Sequence, residues 1–175
     1  MRADKIYLVG FMGAGKTTLA AAVGARLRWR VDDLDAVIER REGARVSEIF
    51  ATHGEAAFRT AEHAALQALL PFRHTVVATG GGAFASAANR ALINGDGVSF
   101  WLDVSFGRVA RRLRADDGRR PLAADLGAME RLFHARLPSY QQARVRLDAE
   151  HATTDALVQH VVDWLGGQEA SSPSP

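Results

Sequence analysis

The sequence predicts an α/β fold, with a parallel sheet covered by helices on both faces. Strand-like and helix-like segments alternate along the chain, the pattern of strands joined by helical crossovers. The segment Gly10-Phe11-Met12-Gly13-Ala14-Gly15-Lys16-Thr17 fits G-x-x-x-x-G-K-[ST] and lies between an apolar strand and a helical pattern. At 175 residues the chain is long enough for one domain with a sizeable core.

Residues 5–9 (KIYLV) read as the first strand and 17–27, rich in Ala and Leu, as the helix after it. Residues 30–33 form a second short strand. Helical patterns follow at 34–41, 46–51 and 55–70. Residues 74–79 (HTVVAT) are a β-branched strand bounded by Pro71 and Gly80. Residues 86–93 are helical and 98–102 form a fourth strand. A helix from Phe106 runs into the Arg-rich stretch 111–120. Residues 125–143 are helical, 144–147 a short strand and 154–165 a last helix. The domain spans 1–167, and the end of the tail GGQEASSPSP, 168–175, is expected to be disordered. No internal repeat is found.

Composition excludes several classes. Hydrophobic residues make up 47% and charged residues 24%, ordinary for a soluble globular protein. No apolar run reaches the roughly 18–20 residues that span a bilayer. Asp4 and Lys5 interrupt the N-terminus, so no secretory leader is expected. The absence of cysteine excludes a disulfide framework and a thiolate zinc site, and fits a cytoplasmic protein. A net charge of +2 argues against nucleic acid as a partner. The cations are 20 Arg and two Lys, so a lone arginine says little, whereas Lys5 and Lys16 carry more information.

The glycine-rich segment points to a nucleoside triphosphate. Its glycines let the backbone curl so that N–H groups face phosphate oxygens, and the following helix N-terminus adds partial positive charge. Lys16 offers an ammonium to the β- and γ-phosphates, and the Thr17 hydroxyl is placed to bind Mg²⁺. Ligands of parallel sheets bind beyond the carboxyl ends of the strands. The second strand ends in Asp32-Asp33-Leu34-Asp35 and the third in Thr79 followed by Gly80-Gly81-Gly82. Alone, two aspartates read as a helix cap and three glycines as a plain loop. Their convergence on one edge points to carboxylates that hold Mg²⁺ and receive a hydroxyl proton, beside bare backbone that admits a polyhydroxylated substrate.

The sequence resembles the shikimate kinases from about residue 5 to 165. The most specific stretch is VDDLDAVIERREGARVSEIFATHGEAAFRTAE, residues 31–62, which is similar to D-x-D-x-x-I-E followed by I-F and G-E-x-x-F-R-x-x-E. GFMGAGKTT, TGGGA, Arg120-Pro121-Leu122 and Arg136-Leu137-Pro138-Ser139-Tyr140 fit further family motifs in order and spacing. The resemblance implies transfer of the ATP γ-phosphate to the 3-hydroxyl of shikimate. It also implies a five-stranded parallel sheet of order 2-3-1-4-5 and a mobile lid over about residues 112–124.

Residue by residue, the resemblance gives Gly13, Ala14, Gly15, Lys16, Thr17 and Thr18 to the nucleotide. Arg112 lies against adenine, and Arg120 closes from the lid onto the transferring phosphate. Thr17 and Asp33 serve Mg²⁺. Asp35 binds the substrate hydroxyls and orients the attacking one. Gly80, Gly81 and Gly82 line the substrate pocket, and Arg59 and Arg136 hold the carboxylate. Lys16, Asp35 and Arg120 form the catalytic set. D-x-D fits Asp33 and Asp35, not Asp32. Glu62 is read as the orienting partner of Arg59. Phe50 and Phe58 are read as core or pocket wall, and Trp29, Trp101 and Trp164 as packing.

The expected partner is a small molecule, shikimate, for a protein acting as a monomer. The alternatives are another small-molecule kinase, such as a gluconate kinase, or a non-catalytic nucleotide-binding homologue. Paired arginines favour a carboxylated acceptor without excluding gluconate. No N-K-x-D guanine motif is present, as a GTPase switch would require.

Overall fold

In a computed structural model, residues 4–115 and 126–170 are described. The elements run β1 (Lys5–Val9), α1 (Lys16–Leu27), β2 (Arg30–Asp33), α2 (Leu34–Glu42), α3 (Val46–Leu69) and β3 (Thr75–Ala78). A 3₁₀ turn (Ala83–Ala85) and α4 (Ala87–Asp96) follow, then β4 (Val98–Asp103), α5 (Phe106–Ala115), α6 (Leu126–Tyr140), β5 (Val145–Asp148) and α7 (Thr154–Ala170). The strands form one parallel sheet of order β2-β3-β1-β4-β5, as the resemblance implied. Among the described residues no helix is long and apolar enough to cross a membrane.

Every residue of β1 and β3 is buried, so both faces of the sheet centre are covered. The edge strands β2 and β5 are partly exposed, with one buried residue each, Asp32 and Leu147. Asp33, Ala78 and Leu8 stand in one row across β2, β3 and β1. The loops leaving these three strands therefore emerge side by side.

Three local features set helix boundaries. Gly24, inside α1, lets β2 approach closely, since a Cβ there would lie 2.1 Å from Val31 Cγ2. Gly54 has φ 77° and ψ 178°, which breaks α3 between the two helical patterns at 46–51 and 55–70. Lastly, α7 continues past Gly166 and Gly167 to Ala170, so part of the expected tail is helical. Each glycine costs about 1 kcal/mol in a helix interior, but neither stops this one. Residues 171–175 lie outside the described residues, as does most of the expected lid.

At the amino ends of the strands, opposite the loops, lies a buried ionic cluster. Lys5 is fully buried; its Nζ donates to Leu69 O and pairs with Asp96 Oδ2 at 2.8 Å. The Tyr7 hydroxyl donates to the same oxygen at 2.6 Å, and Arg73 Nη1 meets Asp96 Oδ1 at 2.9 Å. The cluster ties the start of β1 to the ends of α3 and α4. Burial alone pushes the Asp96 carboxyl up, but hydrogen bonds from Lys5 and Tyr7 and the Lys5 charge outweigh it and hold it below its ordinary range. Burial also draws the Lys5 ammonium down, against Asp96. The carboxylate, with three donors around it, decides the pH response.

Removing one partner of a buried pair strands the other charge, at a cost of about 3–5 kcal/mol. Asp96→Ala is expected to lower the unfolding free energy by about that much in urea titrations, and a loss under about 1 kcal/mol would show the cluster to be solvated. The sign with pH follows from the lowered Asp96 value. Its contribution is present above the ordinary carboxyl value near 4 and is lost as pH falls through the lowered one, so Asp96→Asn should flatten stability against pH below about pH 4.

Candidate active site

The loop after β1 is shaped by its first and last glycines. At Gly10, with φ 140°, a Cβ would lie 2.9 Å from Leu102 O. Gly15, with φ 105°, caps α1 from the left-handed region that glycine enters without strain. The loop thus curls in front of α1, whose first N–H groups have no partner within the helix. Lys16 is only 8% exposed, and its Nζ donates to Gly10 O at 2.9 Å and Phe11 O at 2.8 Å. The ammonium is folded over the loop rather than extended into solvent.

Arg112 reaches the same loop from α5. Its Nη1 donates to Gly13 O at 3.1 Å and Ala14 O at 2.9 Å. Burial draws the guanidinium value down, and the charge of Arg108 adds to that. The resemblance placed Arg112 against adenine; here it braces the loop carbonyls.

The strand alternation at the end of β2 separates its aspartates. Asp32 is 5% exposed and accepts from Arg30 Nε at 2.7 Å and Nη2 at 3.0 Å, which makes it part of the scaffold. The Thr17 hydroxyl donates to Asp33 Oδ2 at 2.8 Å, and Asp33 Oδ1 accepts from Asp35 N at 3.0 Å, capping α2. The hydroxyl and carboxylate that the motif singled out are thus in contact beside the loop, with the Asp35 side chain exposed in the first turn of α2.

The glycines after β3 are bare because other groups need their space. A Cβ on Gly80 would lie 2.8 Å from Asp35 Oδ1. One on Gly81 would lie 3.1 Å from Met12 N and 3.6 Å from Arg136 Nη1. One on Gly82 would lie 2.5–2.9 Å from the Arg59 guanidinium. Consecutive glycines therefore bring one carboxylate and two guanidinium groups against the same stretch of backbone.

Arg59 and Arg136 come from distant parts of the sequence and share a counter-charge. Glu62, 1% exposed, accepts from Arg59 Nη1 at 3.1 Å on each oxygen. Burial pushes the Glu62 carboxyl up; Arg59 opposes this, nearby Asp35 adds to it, and Arg136 opposes it. The other edge of Arg59, Nε and Nη2, meets Glu55 Oε1 at 3.3 and 3.1 Å. Arg136 lies over the Phe11 ring, 5.7 Å from its centroid. One turn along α6, the Tyr140 hydroxyl donates to Gly81 O, and the Tyr140 ring stacks on Trp101. Burial pushes that hydroxyl up to about 12, against the charge of Arg136.

One cavity of about 480 Å³ is lined by Gly13, Ala14, Gly15, Lys16, Thr17, Thr18, Asp33, Asp35, Gly80, Gly81 and Arg112. Gly82, Arg59 and Arg136 are not in its wall. Arg120 lies outside the described residues. Sequence reasoning did not single out Thr79, Ala152 or Thr154, which also line the cavity. Thr79 was legible as the last residue before the glycines; the other two reach the cavity only through the path of β5 into α7. Tyr140 stood inside a quoted motif, and its i,i+4 spacing from Arg136 puts both on one helix face.

Such a cavity can hold phosphates at the loop end and a hydroxyl group near Asp35 at the other. Comparison with known proteins agrees. Residues 12–166 match the family model described as shikimate kinase. The shikimate kinase of Sulfurihydrogenibium sp. is 36% identical over 157 residues, covering 90% of this chain and 95% of the relative. The solved structure of Acinetobacter baumannii shikimate kinase in complex with shikimate matches at TM-score 0.87 and 32% identity, covering 95% of this chain and 94% of that one. A gluconokinase from Sinorhizobium meliloti matches at TM-score 0.66 but only 17% identity, which shows a shared fold alone. With a family match over nearly the whole described chain, and phosphate loop, aspartates, glycines and arginines set on one sheet edge, the chain belongs to the shikimate kinase family.

Proposed function

We propose that the protein transfers the γ-phosphoryl group of ATP to the 3-hydroxyl of shikimate, giving shikimate 3-phosphate and ADP on the route to chorismate and the aromatic amino acids. The observation that carries this reading is the placement of Asp35, Arg136 and Arg59 along Gly80–Gly82, of which Asp35, Gly80 and Gly81 line the phosphate-loop cavity. A hydroxyl acceptor and a carboxylate clamp there suit a small hydroxylated acid. The A. baumannii relative of this fold is described with shikimate bound. The absence of cysteine supports action in the cytoplasm.

The residues present fit Mg²⁺ and ATP. Thr17 and Asp33 offer hard oxygen ligands in mutual contact, and Mg²⁺ is usually held by one or two carboxylates plus phosphate oxygens. Among the described residues no cluster of three or more His, Cys, Asp or Glu forms an all-protein cage, as that mode of binding requires none. When bound, Mg²⁺ neutralises phosphate charge during transfer.

The remaining roles belong to the chain. Loop N–H groups and Lys16 hold phosphate oxygens. Asp35 holds the attacking hydroxyl and accepts its proton. Arg59 and Arg136 fix the far end of the acceptor through its carboxylate, which orients the reacting oxygen. Arg120 closes on the phosphate and with its segment excludes water, a competing acceptor.

Three measurements test this. ADP release is expected with shikimate and to stay near the no-acceptor background with gluconate; stimulation by gluconate alone would overturn the assignment. Asp35→Asn keeps shape but removes the charge, and should lower kcat by about 10²–10⁴-fold with KM for ATP little changed. Asp33→Asn should instead raise the Mg²⁺ needed for half-maximal rate. Matching Mg²⁺-dependent defects in both would show that the two carboxylates do not divide the work. Arg136→Ala should raise KM for shikimate by about 10–100-fold, as expected for one charge-assisted pair. A carboxamide analogue should lose affinity for the wild type but little further in Arg136→Ala.

A further inference from the structure

A polar chain runs behind Arg59 and away from the cavity. Asn89, in the first turn of α4, is 2% exposed. Its Nδ2 donates to Glu62 Oε2 at 3.4 Å, and its Oδ1 lies 2.7 Å from His63 Nδ1. Its backbone N–H is bonded to Ser86 Oγ at 3.4 Å, so the residue is anchored by the cap of its own helix. The sequence is thus His63, Asn89, Glu62, Arg59, with every link a hydrogen bond.

The donor directions in this chain are fixed. A carboxylate only accepts, so the Asn89 amide must turn its NH₂ towards Glu62 and its oxygen towards His63. His63 Nδ1 must then carry a proton. His63 is half-buried and borders a groove between α3 and α4. Glu62 thereby selects one of two amide orientations, since the other would set the Asn89 oxygen against its carboxylate, and His63 bonds the amide oxygen in the selected one.

Glu62 needs that second donor. It is buried, it is pushed towards protonation, and it holds Arg59 through Nη1 alone. A protonated or rotated Glu62 would release Nη1 from its place against the bare backbone at Gly82. We propose that Asn89, held on its other side by His63, is a positioning residue for carboxylate recognition: it anchors Glu62, which fixes the Arg59 guanidinium that receives the acceptor's carboxylate. This rests on the proposed use of a carboxylated acceptor.

The test uses the full chain with shikimate and with its neutral carboxamide. Asn89→Leu keeps the volume and removes both hydrogen bonds. It should raise KM for shikimate about 3–10-fold, from loss of part of a charge-assisted contact, with kcat and KM for ATP within about twofold. KM for the carboxamide should stay within about twofold of wild type. His63→Leu, on the half-buried side of the chain, should shift KM for shikimate in the same direction by a smaller factor, and it serves if Asn89→Leu does not fold. Unchanged KM for shikimate in a folded variant, or equal losses for acid and carboxamide, overturns the positioning role. A wild-type protein with no shikimate-dependent ADP release overturns both this and the functional reading.

Discussion

The site depends on how closely charged side chains can approach bare backbone. At Gly80, Gly81 and Gly82 the absent Cβ atoms leave room for Asp35, Arg136 and Arg59. Two half-buried guanidinium groups and an exposed carboxylate meet there. Glu62, buried behind the loop, supplies the compensating charge. The sheet makes this possible, since Leu8, Ala78 and Asp33 share a row and their loops must share a volume. A Cβ on Gly80 or Gly82 would push out a charge before it touched a ligand, and one on Gly81 would press on the Met12 backbone.

Local signals were legible in the sequence to the extent that the chemistry itself is local. The phosphate loop, the strand alternation and the choice of Asp33 and Asp35 over Asp32 all depend on neighbours within a few residues. Even the scaffold role of Asp32 was within reach, because Arg30 and Asp32 share a strand face at i,i+2. The partner of Lys5 was not, since Asp96 lies 91 positions away and nothing in the pattern near either residue names the other. The same holds for Asn89 and Glu62, which meet through the packing of α3 and α4. The length of α7 escaped the sequence for a different reason, because local glycine signals were overridden by continuation of the helix. The contacts of Arg112 with the loop carbonyls were likewise out of reach, since Gly13 and Ala14 lie 99 and 98 positions away.

The chain uses its two lysines and twenty arginines differently. Lys5 and Lys16 are buried at opposite ends of the region around β1, one in an ionic cluster and one on the phosphate loop. An ammonium is a compact charge on a flexible stem that can turn among several acceptors. Arg59 instead presents two edges of its planar group to two carboxylates, Arg112 points one nitrogen at two loop carbonyls, and Arg136 lies over the Phe11 ring. Both lysines, which the sequence marked as the more informative cations, are buried.

The five residues of β1 separate the Lys5 cluster from the phosphate loop by about 17 Å of strand. Effects of substitutions at such distances add with little coupling. The protein can therefore be retuned at its loops for a new acceptor, at some loss of robustness, and recover that loss by repacking the far end of the same strands. Innovation and repair have separate addresses in this molecule, joined by one short segment of backbone.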